Sequence, residues 1–421
     1  MSESAITWKK HLSILWAGQF SVSLGLTGTT PFIGLHMARL TDDGGSVVLW
    51  ASLAMAGPSL AYMLTTPLWG KLSDRMDRKW SVVRALSGLA ACMIGMSLST
   101  NAAAFLLFRL LQGALGGISD ASLSWIAASV PPDRRGEAIG IYQQASLAGS
   151  LGGPLLGGLA MSLAGEASML ILTASLAASC ACASACWLPK GRNASARKRD
   201  RRGEPGIAAT LAVFWRMKEL RVMLTAGSLT RGMTAALAVL FPLTVSERFG
   251  GGSGTAALIG MHEAAGGFGA LIGSRYWGTR SDQREGKTMI RLASLMGVLT
   301  IGLQAASPVY AMLLPCRAIQ GFYSSAISPF VLRAITRESG QDSLGVRIGT
   351  ANSVLVFGQF AGSFIPAALR GIADPSLAVA AVGLIPLAAA GSASSLNVRS
   401  RNRILTRKKG GNSNESSISG S

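Results

Sequence analysis

The stretch Gly70-Lys-Leu-Ser-Asp-Arg-Met-Asp-Arg-Lys79 sets six charged side chains into ten positions between two long apolar runs. It returns, altered, as Gly278-Thr-Arg-Ser-Asp-Gln-Arg-Glu-Gly-Lys287, 208 residues further on. Glycine, serine, aspartate and lysine stay in register, and a tryptophan, Trp69 or Trp277, precedes each copy. Other matches keep the spacing. Arg109-Leu-Leu-Gln112-Gly113 is answered at offset 208 by Arg317-Ala-Ile-Gln320-Gly321, and Gly149, Gly153 and Gly157 at offset 209 by Gly358, Gly362 and Pro366. The chain therefore reads as one unit written twice. The expected divisions are an N-terminal bundle over 1–189, a basic linker over 190–216, a C-terminal bundle over 217–397, and a basic then polar tail over 398–421, with a short interfacial helix over 215–224 leading into the seventh span.

What surrounds the repeats is apolar. The 421 residues are 49% hydrophobic and 14% charged, with a mean hydropathy of +0.39. A helix needs roughly 20 apolar residues to cross a bilayer. Twelve such runs are expected, at 12–36, 48–70, 80–99, 103–129, 137–162, 168–188, 220–245, 255–277, 288–306, 309–335, 346–369 and 376–396. The run after Lys9 and Lys10 is too long for a signal-peptide core and has no small-residue cleavage pattern behind it, so it is expected to remain as the first span. The net charge of +19 gathers in alternate loops, in the cluster from Lys190 to Arg202 and in the tail from Arg399 to Lys409. That asymmetry places both termini in the cytoplasm and removes nucleic acid as the reason for the charge. Cys180, Cys182 and Cys186 share one apolar span and read as small packing residues rather than metal ligands. No nucleotide-cradling loop or catalytic constellation is present, and the three histidines are scattered, so neither an enzyme nor a metal site is expected.

Polar groups within the spans are costly in lipid and so carry the functional reading. Arg109 sits inside the fourth span. On a continuous helix Asp120 lies within about 20° of its direction and roughly 16 Å along the axis, too far to pair. Asp120 then has two readings, a proton site or a brace for the charged loop. Gly149, Gly153, Pro154, Gly157 and Gly158 form a stripe in the fifth span that permits close helix approach, with a bend at the proline. The first span holds no acid. His262 and Glu263 in the eighth span, where the first half has Ala54 and Met55, are the candidate titrating groups. They read either as a coupling site or as a hydrated structural pair. Arg231 is a counter-charge, an anionic-substrate contact or a membrane-edge residue. Gln19, Thr27, Gln112, Trp125, Arg231, Gln320 and Tyr323 are the candidate lining of a central site, mixing polar and aromatic groups. With Arg109, Arg317 and Arg333 added, that lining is cationic and tilts the cargo toward neutral or anionic molecules.

Together these features resemble the major facilitator superfamily, and most of all its twelve-helix drug:proton antiporter group of the multidrug-resistance protein G type. The fold implied is an all-α integral membrane protein with twelve transmembrane helices in two pseudo-symmetric six-helix bundles. The first loop is similar to the superfamily pattern G-x-L-x-D-R-x-G-R-K, with Asp77 where the pattern has glycine. The resemblance makes Gly70, Asp74, Arg75, Arg78 and Asp282 a latch holding the halves in the outward-facing state. The second copy, with Gln283 in place of arginine, is expected to be the weaker one. Arg109 resembles an arginine implicated in proton coupling, and the glycine stripe resembles the pattern that marks exporters. The implied function is export of small organic molecules across the inner membrane by alternating access, in exchange for protons. A drug pump, a dedicated exporter of an endogenous metabolite such as a siderophore, and an uptake carrier of the same fold are the readings that remain. The expected partners are a small organic substrate, protons and membrane lipids. No cofactor is expected, and the unit is read as a monomer.

Overall fold

Inside a bilayer the backbone has no water to bond with, so a long apolar run must satisfy its own N–H and C=O groups by coiling. Every regular element among the described residues is accordingly a helix. The computed structural model describes residues 3–41, 44–73, 77–131, 134–165, 167–189, 207–249, 254–280, 286–327, 330–331, 334, 344–369 and 375–394.

In the first half these are α1 (Glu3–Thr29), a tight 3₁₀ turn (Thr30–Phe32), α2 (Ile33–Leu40), α3 (Gly44–Ser73), α4 (Arg78–Ser97), α5 (Ala102–Leu115), α6 (Ile118–Ser129), α7 (Arg135–Ala164) and α8 (Ser168–Trp187). The second half holds α9 (Ile207–Arg216), α10 (Lys218–Phe249), α11 (Gly254–Arg280), α12 (Gly286–Ala306), α13 (Tyr310–Ser324), α14 (Leu344–Gly362), α15 (Ile365–Ala368), α16 (Pro375–Val382) and α17 (Ile385–Ser394). Among the described residues nine segments are long and apolar enough to cross a membrane. They coincide with expected spans; those expected at 12–36, 309–335 and 346–369 are helical where described but do not meet that test.

Three expectations about elements need correction. The fourth span is not one continuous helix. It breaks at Gly116-Gly117, where Gly117 has φ +103°, so the helical projection from Arg109 to Asp120 does not hold. Only glycine enters that left-handed region without strain, which is why the break falls there. The short helix expected at 215–224 lies earlier, as α9, inside the stretch read as linker. The last span is split between α16 and α17.

Asp77, the departure from the superfamily pattern, has a local purpose. It is the N-cap of α4, its carboxylate accepting from the Lys79 N–H at 3.0 Å. Asn101 caps α5 in the same way through the Ala104 N–H at 2.8 Å.

Each half builds its own core. One cluster, including Leu15, Leu86, Met93, Phe105, Trp125 and Tyr142, fills the first half, with Val239 of α10 reaching into it. Separate clusters around Phe214, Trp277 and Phe330, and around Met233, Leu240 and Ile301, fill the second. A further cluster joins the two: Phe32 of the first half packs with Phe241, Val245, Ala256, Ile259 and Leu313 of the second, and Met161 flanks it. Among the described residues this seam lies at the end of the molecule opposite the charged loops.

Candidate functional site

The break in the fourth span frees carbonyls that a continuous helix would have used, and buried carbonyls need donors. Side chains supply them. Trp69 Nε1 donates to Ala114 O at 2.6 Å, Thr65 Oγ1 to the same oxygen at 3.1 Å, and Arg84 Nη2 to Gly116 O at 3.2 Å. The Arg84 guanidinium also lies 3.5 Å from the centre of the Trp69 ring. Just beyond the break, Asp120 in the first turn of α6 accepts from the Tyr62 hydroxyl at 2.5 Å. The second half repeats the device. Trp277 Nε1 donates to Phe322 O at 3.0 Å, and α13 ends at Ser324, the position corresponding to Gly116. The tryptophans that precede the two charged loops thus tie the second helix of each half to the broken end of the fourth. Arg84 was not singled out from the sequence; it is half-buried in what reads as an apolar run, and its one signal is being a charge within that run.

Between the break and the seam stand two arginines, Arg109 on α5 and Arg317 on α13, both buried. Arg109 donates through Nη1 to Gln112 Oε1 at 2.7 Å and through Nε to the Ala54 carbonyl at 3.2 Å. Arg317 donates through Nη1 to Gln320 Oε1 at 3.1 Å and through Nη2 to Glu263 Oε2 at 2.7 Å. The halves therefore share a fork of arginine and glutamine, but among the described residues only the second supplies a carboxylate.

From Glu263 the network closes on itself. Gln304 Nε2 donates to Gln320 Oε1 at 3.0 Å and to Thr300 O at 3.0 Å, which points Gln304 Oε1 toward His262 Nε2, 2.9 Å away. That oxygen can only accept, so Nε2 carries the imidazole proton. His262 Nδ1 is then left facing Glu263 Oε1 at 3.5 Å with no donor between them. Two acceptors face one another across a gap that a single proton would satisfy. His262 is fully buried, and its ring stacks on Phe241 with centroids 3.6 Å apart and planes 8° from parallel. Phe241 is a member of the seam cluster, so the acid-base pair rests directly on the contact between halves. Tyr310 donates to Leu258 O one turn away on α11.

The glycine stripe makes two crossings. Gly149, Gly153 and Gly157 lie against α1, where a side chain at Gly149 would come 2.6 Å from the Phe20 carbonyl, and Gly153 and Gly157 meet the backbone at Gly28. Gly158 and the carbonyl of Pro154 instead meet Gly260 of α11, across the two halves. The second half answers with Gly358 and Gly362 against Ser228 and Gly232 of α10.

Of the candidate lining residues, Gln19 is a hub. Its Oε1 accepts from Tyr142 OH at 2.6 Å and Ser119 Oγ at 3.1 Å, and its Nε2 donates to Ser23 Oγ at 3.1 Å. Thr27 Oγ1 donates to Ser23 O at 2.7 Å at the crossing of α1 and α7. Gln112 and Gln320 serve the two arginines. Trp125 is packed in the first core with His11 edge-on at 5.8 Å. Tyr323 packs against Trp277 and Phe322. Arg231 is half-buried on α10, and it takes no part in the hydrogen bonds of either arginine fork. Of the latch residues, Gly70 lies in α3 and Arg78 opens α4; Asp74, Arg75 and Asp282 fall outside the described residues, as does Arg333. Gln304 belongs to the site and was missed by sequence reasoning, because it is a single amide in an apolar span whose first-half counterpart is Met96. Among the described residues no cluster of histidine, cysteine and acidic groups could hold a metal ion.

Comparison with known proteins places this geometry. Residues 15–285 match the Major Facilitator Superfamily. The Staphyloferrin B transporter of Staphylococcus aureus is 31% identical over 389 residues, 90% of each chain. Multidrug resistance protein MdtG of Proteus mirabilis is 27% identical over 333 residues, 78% of each chain. A bacterial homologue of the lysosomal transporter Spinster, solved inward-facing and occupied, superposes with a TM-score of 0.72 at 15% identity, covering 93% of this chain and 97% of its own.

Proposed function

Because the chain belongs to the major facilitator superfamily, we propose that it is a proton-coupled exporter of small organic molecules, working by alternating access. The family consists of transporters rather than enzymes, and the chain is a membrane protein. The observation that carries the coupling is the gap between His262 Nδ1 and Glu263 Oε1, held open by Gln304 on one side and Arg317 on the other. A proton arriving there satisfies both acceptors and weakens the hold of Glu263 on Arg317. The imidazole is stacked on Phe241 in the seam, so the change is felt where the halves meet. With the basic loops in the cytoplasm, the inner membrane is the setting, both termini are cytoplasmic, and the seam closes the outer face. In that state cargo would enter from inside, and the proton would enter from outside once the halves have rocked.

Export is supported by the similarity to a protein named for multidrug resistance and by the close glycine and proline crossing of α7 on α11. A dedicated exporter is the second reading. It is favoured by the near full-length similarity to a protein named for a single siderophore. The test is uptake of fluorescent dyes and of the culture's own secreted metabolites into inside-out vesicles, driven by an acid interior. Gradient-driven uptake that disappears in Glu263→Gln supports the reading; undiminished uptake in that variant overturns the coupling site. Accumulation of one endogenous compound and no dye selects the dedicated exporter.

A further inference from the structure

The two arginine stations are built alike but not neutralised alike. In the second half, Glu263 meets the Arg317 guanidinium at 2.7 Å. In the first half, the residue corresponding to Glu263 is Met55, that corresponding to His262 is Ala54, and that corresponding to Gln304 is Met96. Arg109 is left with an amide oxygen and a backbone carbonyl, and among the described residues no carboxylate pairs with it. Yet it is only 5% exposed. A buried guanidinium without a counter-charge is among the most costly arrangements a membrane protein can hold, and it persists where function needs it. The first half also keeps a small space at this point. A cavity of about 20 Å³ borders Arg109, lined in part by Met96, Phe105, Phe32, Met161 and His36. Where the second half fills its station with Gln304, the first half lines a cavity with Met96.

We infer that Arg109 is an anion-binding station, completed by an acidic group that the chain does not itself supply. The inference rests on the exporter reading for its place in the transport cycle and extends it to the chemical class of cargo. A carboxylate suits the site, because the guanidinium offers a planar fork of donors and Gln112 holds one of its arms in place. The methionines and phenylalanines around it suit an apolar or polarisable body carrying that carboxylate. The same chemistry is offered by two sources, an acid group on the exported molecule or a free small anion. The rest of the site is already specialised. Glu263 keeps Arg317 for the proton and leaves Arg109 for the anion.

The test uses the full chain in nanodiscs, in chloride-free HEPES buffer, with thermal unfolding followed by tryptophan fluorescence while sodium citrate, sodium acetate or sodium chloride is added. Bound ligand raises the midpoint saturably. The informative variant is Met55→Glu, which places a carboxylate where the second half has one. Arg109→Gln and the charge-keeping Arg109→Lys accompany it. A saturable rise in the wild type, weakened about tenfold or more in Arg109→Gln and Met55→Glu and partly kept in Arg109→Lys, supports the station. A Met55→Glu protein that starts at a higher midpoint shows that its new carboxylate has paired with Arg109, and so rules out misfolding as the cause of the lost response. Carboxylates that saturate the site and compete with vesicle uptake name the cargo as the source; a response to chloride that carboxylates do not displace names a free ion. Equal responses in all four proteins overturn the inference. If proton-driven dye uptake persists while no anion acts, only the anion station fails. If the anion response is intact but uptake ignores the proton gradient, it is the exporter reading that fails.

Discussion

Glu263 and Arg317 illustrate how little separates a functional ion pair from a liability. The two charges lie 2.7 Å apart with side chains 15% and 10% exposed, so removing one partner strands the other. Glu263→Ala is expected to destabilise the protein by about 3–5 kcal/mol, while Glu263→Ala with Arg317→Met recovers most of that loss without restoring transport. Thermal unfolding in detergent reads the first effect and vesicle uptake the second; a double variant no more stable than the single one would show that the pair is not a unit. These residues were legible in the sequence, since an arginine at the same offset in both halves and an acid beside a histidine in an apolar run are conspicuous. Their assembly was not. Nothing in the sequence joins Arg317 to His262 and Glu263, because a helix-to-helix pairing leaves no mark in spacing along the chain. Gln304, which orients the imidazole, was invisible for the same reason.

Helices carry the next level of information. Asp77 caps α4 where a glycine is usual, and the two residues are close in capping strength. Asp77→Ala should cost about 1 kcal/mol and Asp77→Gly only a few tenths, measured by the unfolding midpoint. Gly117→Ala forces a Cβ into the left-handed region and should cost about 1 kcal/mol or more, with loss of transport if the Asp120 side of the break is displaced. A Gly117→Ala protein that matches the wild type in both stability and uptake would remove the break from the mechanism. The helices themselves followed from apolar run length, and the glycine stripe from its spacing. The break in the fourth span was hidden by the continuity of the hydrophobic run around Gly116-Gly117. Which glycine meets which helix could not be read either, because one stripe serves an intra-half crossing at Gly149, Gly153 and Gly157 and an inter-half crossing at Gly158.

At the scale of the molecule, the doubled architecture came from the repeat, while the conformation did not. A repeat is the same whichever way the halves are tilted. The seam of Phe32, Phe241, Val245 and Ile259 defines the state seen here, and it can be locked. A Cβ at Gly34 would lie 3.5 Å from Leu243 Cγ, so a Gly34→Cys, Leu243→Cys pair is within disulfide reach. In a background lacking Cys92, Cys180, Cys182, Cys186 and Cys316, oxidation should stop uptake and reduction should restore it. Uptake that continues under oxidation, with the crosslink verified by mass spectrometry, would mean that these ends need not part.

The paired tryptophans reach further than the site. Trp69 and Trp277 each fasten a broken helix within their own half, and each half, Val239 apart, builds its main core from its own residues, so most of its internal order is its own. During synthesis the leading half can settle in the bilayer while the trailing half is still being translated. Encoded as two separate polypeptides and produced in one cell, the halves should find each other along the Phe32–Phe241 seam and rebuild a working carrier from its parts.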